Sequence, residues 1–159
     1  MKNSPIITNL KSGGITFGEV PKPGGSYVAV NIRGNIAYVA IQFPIRDNQF
    51  FFRGRLGKEV TTEQGCEAAK MAATNVLLQI DKFVGYDRLV GLNHADIYYQ
   101  VYNDWDEGPK VANGASDLFL NVLGDLGQHT RAILGVERLP RNHCVAITAS
   151  FTIKVLTPI

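Results

Sequence analysis

Between Val145 and Val155 the chain alternates on a two-residue period. Val145, Ile147, Ala149, Phe151 and Ile153 fall on one side, and Ala146, Thr148, Ser150 and Thr152 on the other. Only an extended strand sends successive side chains to opposite faces, so one side belongs to a core and the other is small and polar. Such a strand cannot stand alone. Just upstream, Ala132 to Glu137 is short and largely apolar, and Leu139-Pro140-Arg141-Asn142 is turn material, so a second strand is expected to pair with it as a hairpin or near neighbour. Arg131 opens that second strand. Burying a guanidinium is costly unless an anion meets it, and beside a small-residue face it can form the floor of a pocket for a small carboxylate.

The rest of the chain supplies the layer such strands need. Met1 to Ser12 reads as a polar, irregular arm, followed by a short strand over Ile15 to Val20. Tyr27 to Arg33 and Ile36 to Phe43 read as strands joined at Gly34-Asn35, a hairpin signal. Phe50, Phe51 and Phe52 lie in a Gly-containing loop and need a cover, from their own subunit or from a neighbour. Thr61 with Gln64 three residues on is a helix start, and apolar residues then recur at Cys66, Ala69, Ala73, Val76, Leu77, Ile80 and Val84 before Gly85. Arg88 to Tyr102 reads as another strand, and Lys110 to Leu123 as a second helix stopped at Gly124. Strands, helix, strand, helix, strands make a single α+β domain over residues 1–159, with two helices on one face of a mixed sheet.

Several function classes are excluded by composition. The 159 residues carry 16 basic and 14 acidic side chains, interspersed, so no basic footprint for nucleic acid is expected. Cys66 and Cys144 have no ligand or redox spacing and read as reduced, buried residues. His94, His129 and His143 are likewise too scattered for a metal site, and no metal or cofactor is expected. Neither a secretory leader nor a membrane span is present, so the expectation is a cytoplasmic protein without membrane partners. Phosphate-loop, dinucleotide, nucleophile-elbow and zinc-protease motifs are absent.

Four single residues keep two readings each. Tyr27 serves either the core or a pocket. Asn113 either caps a helix or bonds backbone, or it lines a cleft, and His129 is either a surface or capping residue or shares a pocket with Arg131 two residues on. Trp105, the only tryptophan, anchors its loop or recognises a substrate, while Gln42 needs buried hydrogen-bond partners.

Arg131, the Leu139-Pro140 turn and the closing strand resemble the C-terminal signature of the Rid family, the YjgF-like enamine/imine deaminases, also labelled endoribonuclease L-PSP-like. Gly25-Ser26-Tyr27, Tyr38 to Pro44, the helix from Glu67 to Ile80 and Pro109 to Leu118 match the same family in the same order. The resemblance implies a chorismate-mutase-like sandwich, a homotrimer, and clefts between subunits. It implies that Arg131 grips the carboxylate of a 2-aminoacrylate-like enamine or imine, with Tyr27 and Asn113 lining the cleft, and that water releases ammonia and a 2-keto acid. The sequence departs from the pattern at Ala146, where deaminating relatives carry glutamate, at Thr148, where a second acid is frequent, and at Ala40, where serine is common. No catalytic group is therefore assigned. Three readings follow: a hydrolytic deaminase of small enamine or imine carboxylates, a non-catalytic trimer that binds a keto acid or related metabolite, and, least, an endoribonuclease or translation inhibitor.

Overall fold

A computed structural model describes residues 4–156. Helix α1 (Pro5–Ser12) occupies the stretch expected to be irregular, of which Met1 to Asn3 lie outside the described residues. The Ser4 hydroxyl accepts from the Ile7 amide at 3.1 Å, and Pro5 suits the first helical turn, where its missing N–H costs nothing. Ile6, Ile7 and Leu10 then form a buried stripe against the two long helices. A helix of 8 residues, a little over two turns, was too short to declare itself by period. The strand expected over Ile15 to Val20 is absent. Instead the Glu19 amide donates to Asp47 Oδ1 at 3.0 Å, so a side chain takes the backbone group a sheet would have used.

Strands β1 (Val30–Arg33) and β2 (Ile36–Gln42) form the expected hairpin through Gly34, whose positive φ suits the turn. Tyr27 precedes β1 rather than sitting in it. A two-residue ribbon follows, β3 (Ile45–Arg46) against β4 (Gln49–Phe50), turned by Asp47 and Asn48 at φ 50° and 64°. The three phenylalanines find cover on their own chain: Phe50 meets the His143 ring edge-on at 5.0 Å, Phe51 lies under the Arg46 guanidinium at 4.6 Å, and Phe52 packs on the core.

Helix α2 (Thr62–Phe83) opens with the reciprocal cap read from Thr61 and Gln64. Strand β5 (Leu89–Gln100), helix α3 (Gly108–Leu123), strand β6 (Thr130–Val136) and strand β7 (Val145–Ile153) complete the order. The sheet runs β1-β2-β7-β5-β6. β6 and β7 are therefore not the hairpin partners that their proximity suggested. The α3 crossover makes β6 parallel to β5, and β7 returns antiparallel on the other side of β5.

α2 and α3 cover one face of this mixed sheet, burying Val145, Ile147, Phe151 and Ile153 of β7 with Ala95 and Ile97 of β5. The α+β arrangement with helices on one face stands, with α1 as a third, short helix packed on the other two. The helices approach closely because Gly114 has no side chain: a Cβ there would lie 2.2 Å from the Cys66 carbonyl oxygen. Cys66 and Cys144 are free thiols, and burial pushes Cys144 up to about 12. Among the described residues no helix is long and apolar enough to cross a membrane.

Candidate functional site

The edge strand β6 carries Arg131 toward the first turns of α3. Its Nη1 donates to Asn113 Oδ1 at 2.8 Å and to Ser116 Oγ at 3.1 Å. Asn113 does not cap: α3 begins at Gly108, so Asn113 lies inside the helix and its side chain holds the guanidinium. Ser116 sits one turn further on, with its oxygen 3.0 Å from His129 Nε2, and His129 Nδ1 is 2.6 Å from the Gly127 carbonyl oxygen. A carbonyl can only accept, so Nδ1 carries the proton and Nε2 accepts from the Ser116 hydroxyl. The chain of donors thus runs from Arg131 to Ser116, to His129, to Gly127. His129 shares the site of Arg131 after all, through a serine the sequence reading passed over. Asn113 and Ser116 stand three apart on one helix face, which was the signal available for it.

The other edge of the guanidinium is free. Nε and Nη2 make no hydrogen bond or ion pair with any described residue, and no carboxylate pairs with Arg131. These are the donors whose spacing matches a carboxylate.

Arg131 does not lie beside the small polar face of β7. It is level with Ala95, which is level with Ala149 in the core-facing row, whereas Ala146 pairs with Tyr98 and Thr148 with Asp96 in the row pointing away from the helices. β5 lies between them and the faces are opposite, so within one chain no side chain at 146 stands next to this guanidinium. The helix-free face holds its own carboxylate: Asp96 binds His94 Nε2 at 2.9 Å and accepts from Thr148 at 3.3 Å, and His94 Nδ1 meets Thr130 at 2.7 Å. Among the described residues no three His, Cys, Asp or Glu side chains gather as a metal site.

Tyr27 lies elsewhere. Half exposed, it accepts from the Gly24 amide at 3.1 Å and lines a cavity of about 620 Å³ that includes neither Arg131 nor Asn113. The cavity is built from the 19–29 segment, the bulged end of β2, the β3–β4 ribbon, Gln79 of α2 and the turn 140–143. In that turn Arg141 and Asn142 both adopt positive φ. Gln42 is satisfied as its burial requires, donating to Ala40 O at 2.9 Å and accepting from Gln79 Nε2 at 3.3 Å. His143 is stacked on Phe43 at 4.5 Å, and burial, with Arg53 and Arg141 nearby, pushes it down to about 4. Trp105 is an anchor: its indole N–H donates to Thr62 at 3.0 Å, and its ring meets Tyr99 edge-on.

Comparison with known proteins places this geometry. The family described as "YjgF/chorismate_mutase-like, putative endoribonuclease" matches residues 8–151. Protein TCP17 of Trypanosoma cruzi is 32% identical over 146 residues, 91% of each chain. A crystal structure of a protein of unknown function from Agrobacterium tumefaciens is 32% identical, superposes with a TM-score of 0.85, and spans 94% of this chain and 92% of that one. A "putative endoribonuclease" from Shewanella oneidensis is 27% identical with a TM-score of 0.88, over 94% and 99% of the two chains. RidA from an Antarctic Psychrobacter, 18% identical over 84% of this chain and 94% of its own, shares the fold at a TM-score of 0.58.

Proposed function

This chain belongs to the YjgF/chorismate-mutase-like family, and on that premise we propose that it hydrolyses small enamine or imine carboxylates to 2-keto acids and ammonia. The observation that carries the reading is the half-occupied guanidinium of Arg131. Nη1 is held by Asn113 and Ser116, while Nε and Nη2 have no partner among the described residues. An immobilised fork with its carboxylate-binding edge open is pre-organised for a carboxylate, and little ordering remains to be done on binding.

The same residues supply a route for protons. With the substrate carboxylate on the open edge, water adds to the iminium carbon and the C=N electron pair moves onto nitrogen. The water proton passes to Ser116 Oγ as that hydroxyl gives its own proton to His129 Nε2. His129 then returns that proton to the amine nitrogen, and the C–N bond breaks with its electron pair leaving on ammonia. The hydroxyl passes its proton back through Ser116 to His129 as its oxygen becomes the keto oxygen, replacing the proton that made the imine an iminium. Balanced over the sequence, one imine and one water give one keto acid and one ammonia. This assigns to Ser116 and His129 the proton handling that a glutamate at position 146 performs in deaminating relatives.

The working form in this proposal is a homotrimer with clefts between subunits. Tyr27 lines a cavity that Arg131 does not enter, so a cleft using both draws them from two copies. The helix-free sheet face, with Tyr38, Val90 and Leu134 each about half exposed, offers surface to bury. A second reading, a non-catalytic binder of keto acids, rests on Ala146. Ammonia release from freshly generated 2-iminobutyrate decides between them: release that fails in Arg131→Lys supports the hydrolase, and tight 2-ketobutyrate binding without any release supports the binder.

A further inference from the structure

The cavity beside Tyr27 is larger than a small imine needs. The side chain of 2-iminobutyrate is an ethyl group, whereas the cavity holds about 620 Å³, within the range of roughly 300–1,000 Å³ typical of sites for whole small molecules. Its walls are mixed: Ile41, Val20 and the rings of Phe43 and Phe50 give apolar surface, and Glu19, Asp47, Lys22 and Arg141 give charges of both signs that do not favour an anion.

Two buried side chains in its lining lack partners. Gln79 is 1% exposed, and its amide nitrogen is committed to the Pro21 carbonyl at 2.7 Å and to Gln42 Oε1 at 3.3 Å. Its oxygen meets nothing. His143 is also 1% exposed, and neither ring nitrogen has a hydrogen bond. Pushed down to about 4, the ring is neutral at pH 7, so one of its nitrogens is an acceptor. Native proteins leave few buried polar atoms unsatisfied, and three on two residues of one cavity wall are groups that a ligand could pair. Gln79 Oε1 is an acceptor and neutral His143 offers one acceptor and one N–H, so a ligand N–H can meet an acceptor on either side chain. The flat surfaces at hand, the Phe43–His143 stack and the Phe50 edge, suit a planar ring.

We propose that this cavity is the side-chain pocket of the cleft and selects 2-imino and 2-keto acids whose side chain is a planar aromatic ring bearing an N–H donor, the indole class. The proposal rests on the hydrolase reading for its link, through Tyr27, to the Arg131 carboxylate anchor. Charge recognition stays with Arg131, and the size and hydrogen bonding of the ring are read by Gln79 and His143.

The test is titration calorimetry of the full chain with indole-3-pyruvate, phenylpyruvate and 2-ketobutyrate, repeated on Gln79→Leu and on Ile41→Trp, which fills the cavity. The expected order is indole-3-pyruvate tightest, phenylpyruvate about tenfold weaker, and 2-ketobutyrate weaker again. Gln79→Leu brings indole-3-pyruvate to the level of phenylpyruvate and leaves phenylpyruvate unchanged, and Ile41→Trp lowers both ring acids without moving 2-ketobutyrate. The wild-type series needs no variant to fold. Three acids of equal affinity, all weakened by Arg131→Lys, overturn the side-chain pocket and leave the carboxylate anchor standing. Equal losses of indole-3-pyruvate and phenylpyruvate in Gln79→Leu also overturn it. If none of the three acids binds, the anchor reading falls and takes this inference with it.

Discussion

The Arg131 cluster and the Tyr27 cavity hold their polar atoms in opposite ways. Around Arg131 each polar atom facing the protein has a partner and a direction, from Asn113 and Ser116 through His129 to the Gly127 carbonyl, and one cationic edge is left open. Around Tyr27 the wall is left short, with the Gln79 oxygen and both His143 nitrogens unpaired although buried. A satisfied network positions whatever it binds and adds little choice among ligands. An unsatisfied wall costs stability in the empty protein and discriminates sharply, because only a ligand with matching donors repairs it. The two regions divide one task in this reading, orientation on one side and selection on the other.

The largest effect expected from breaking the comparison is on the satisfied side. If Ser116 and His129 carry the proton, His129→Gln loses about 10²- to 10⁴-fold in turnover of 2-iminobutyrate, the usual size of general acid–base assistance. Glutamine can still hydrogen-bond to Ser116, so 2-ketobutyrate affinity should stay within a few-fold. Steady-state rates beside calorimetry check this. Equal losses in rate and affinity would mean that His129 only steadies Arg131.

The unsatisfied side predicts a pH effect. His143 titrates at about 4 when folded against an ordinary value of 6.5, because burial first, and Arg53 and Arg141 after it, disfavour the cation. Between those values the unfolded chain binds a proton that the folded chain refuses. Stability is therefore full above pH 6.5 and is lost as the pH falls to about 4, by up to about 3 kcal/mol at 1.36 kcal/mol per unit. Denaturant titrations from pH 7 to 4 on wild type and His143→Phe read the difference directly. Curves that stay parallel across that window would take His143 out of the acid response.

Arg131→Lys comes next in size. Lysine keeps the charge but cannot present the paired donors, nor be held by Asn113 and Ser116 at once with one edge open. A charge-assisted hydrogen bond contributes about 1.5–3 kcal/mol, roughly a tenfold to hundredfold loss of 2-ketobutyrate affinity. Unchanged affinity removes Arg131 from the site and leaves the cluster as an edge-strand brace.

Which parts of this arrangement a reader can find in the sequence follows from how local each part is. The β7 alternation and the Thr61–Gln64 cap of α2 are written within a dozen residues, and both appear in the structure as read. Strand order is not local. Nothing between Arg131 and Val145 says that β5 lies between β6 and β7, and so Arg131 came out on the opposite face from Ala146 and Thr148. α1 escaped because its apolar residues Ile6, Ile7 and Leu10 make too few repeats to show a period, and the supposed strand at 15–20 lost its backbone partner to Asp47. The family resemblance pointed to Arg131, Tyr27 and Asn113, whereas Ser116 entered the site only through distances, which also decided the pocket reading of His129 over the capping one. The cavity could not be read at all, since its wall draws on residues from Glu19 to His143.

The smallest effect separates two buried glutamines. Gln100 is satisfied throughout: its amide donates to Gly54 O at 3.0 Å and to Asn142 Oδ1 at 2.8 Å, and its oxygen accepts from the Leu139 amide at 2.8 Å. Replacing it by leucine strands two groups on buried residues, the Gly54 carbonyl and the Leu139 amide, at about 1–3 kcal/mol each, and also frees the exposed Asn142 side chain. Gln79→Leu also gives up two bonds, to Pro21 O and Gln42 Oε1, but it removes an orphaned acceptor at the same time. Loss and relief are of similar size and opposite sign, so the net change in stability should stay within about 1 kcal/mol. Thermal melts of the two variants without ligand make the comparison. If Gln79→Leu destabilises as much as Gln100→Leu, the Gln79 oxygen already has a partner, such as an ordered water, in the empty cavity, and the wall is no longer short of a donor.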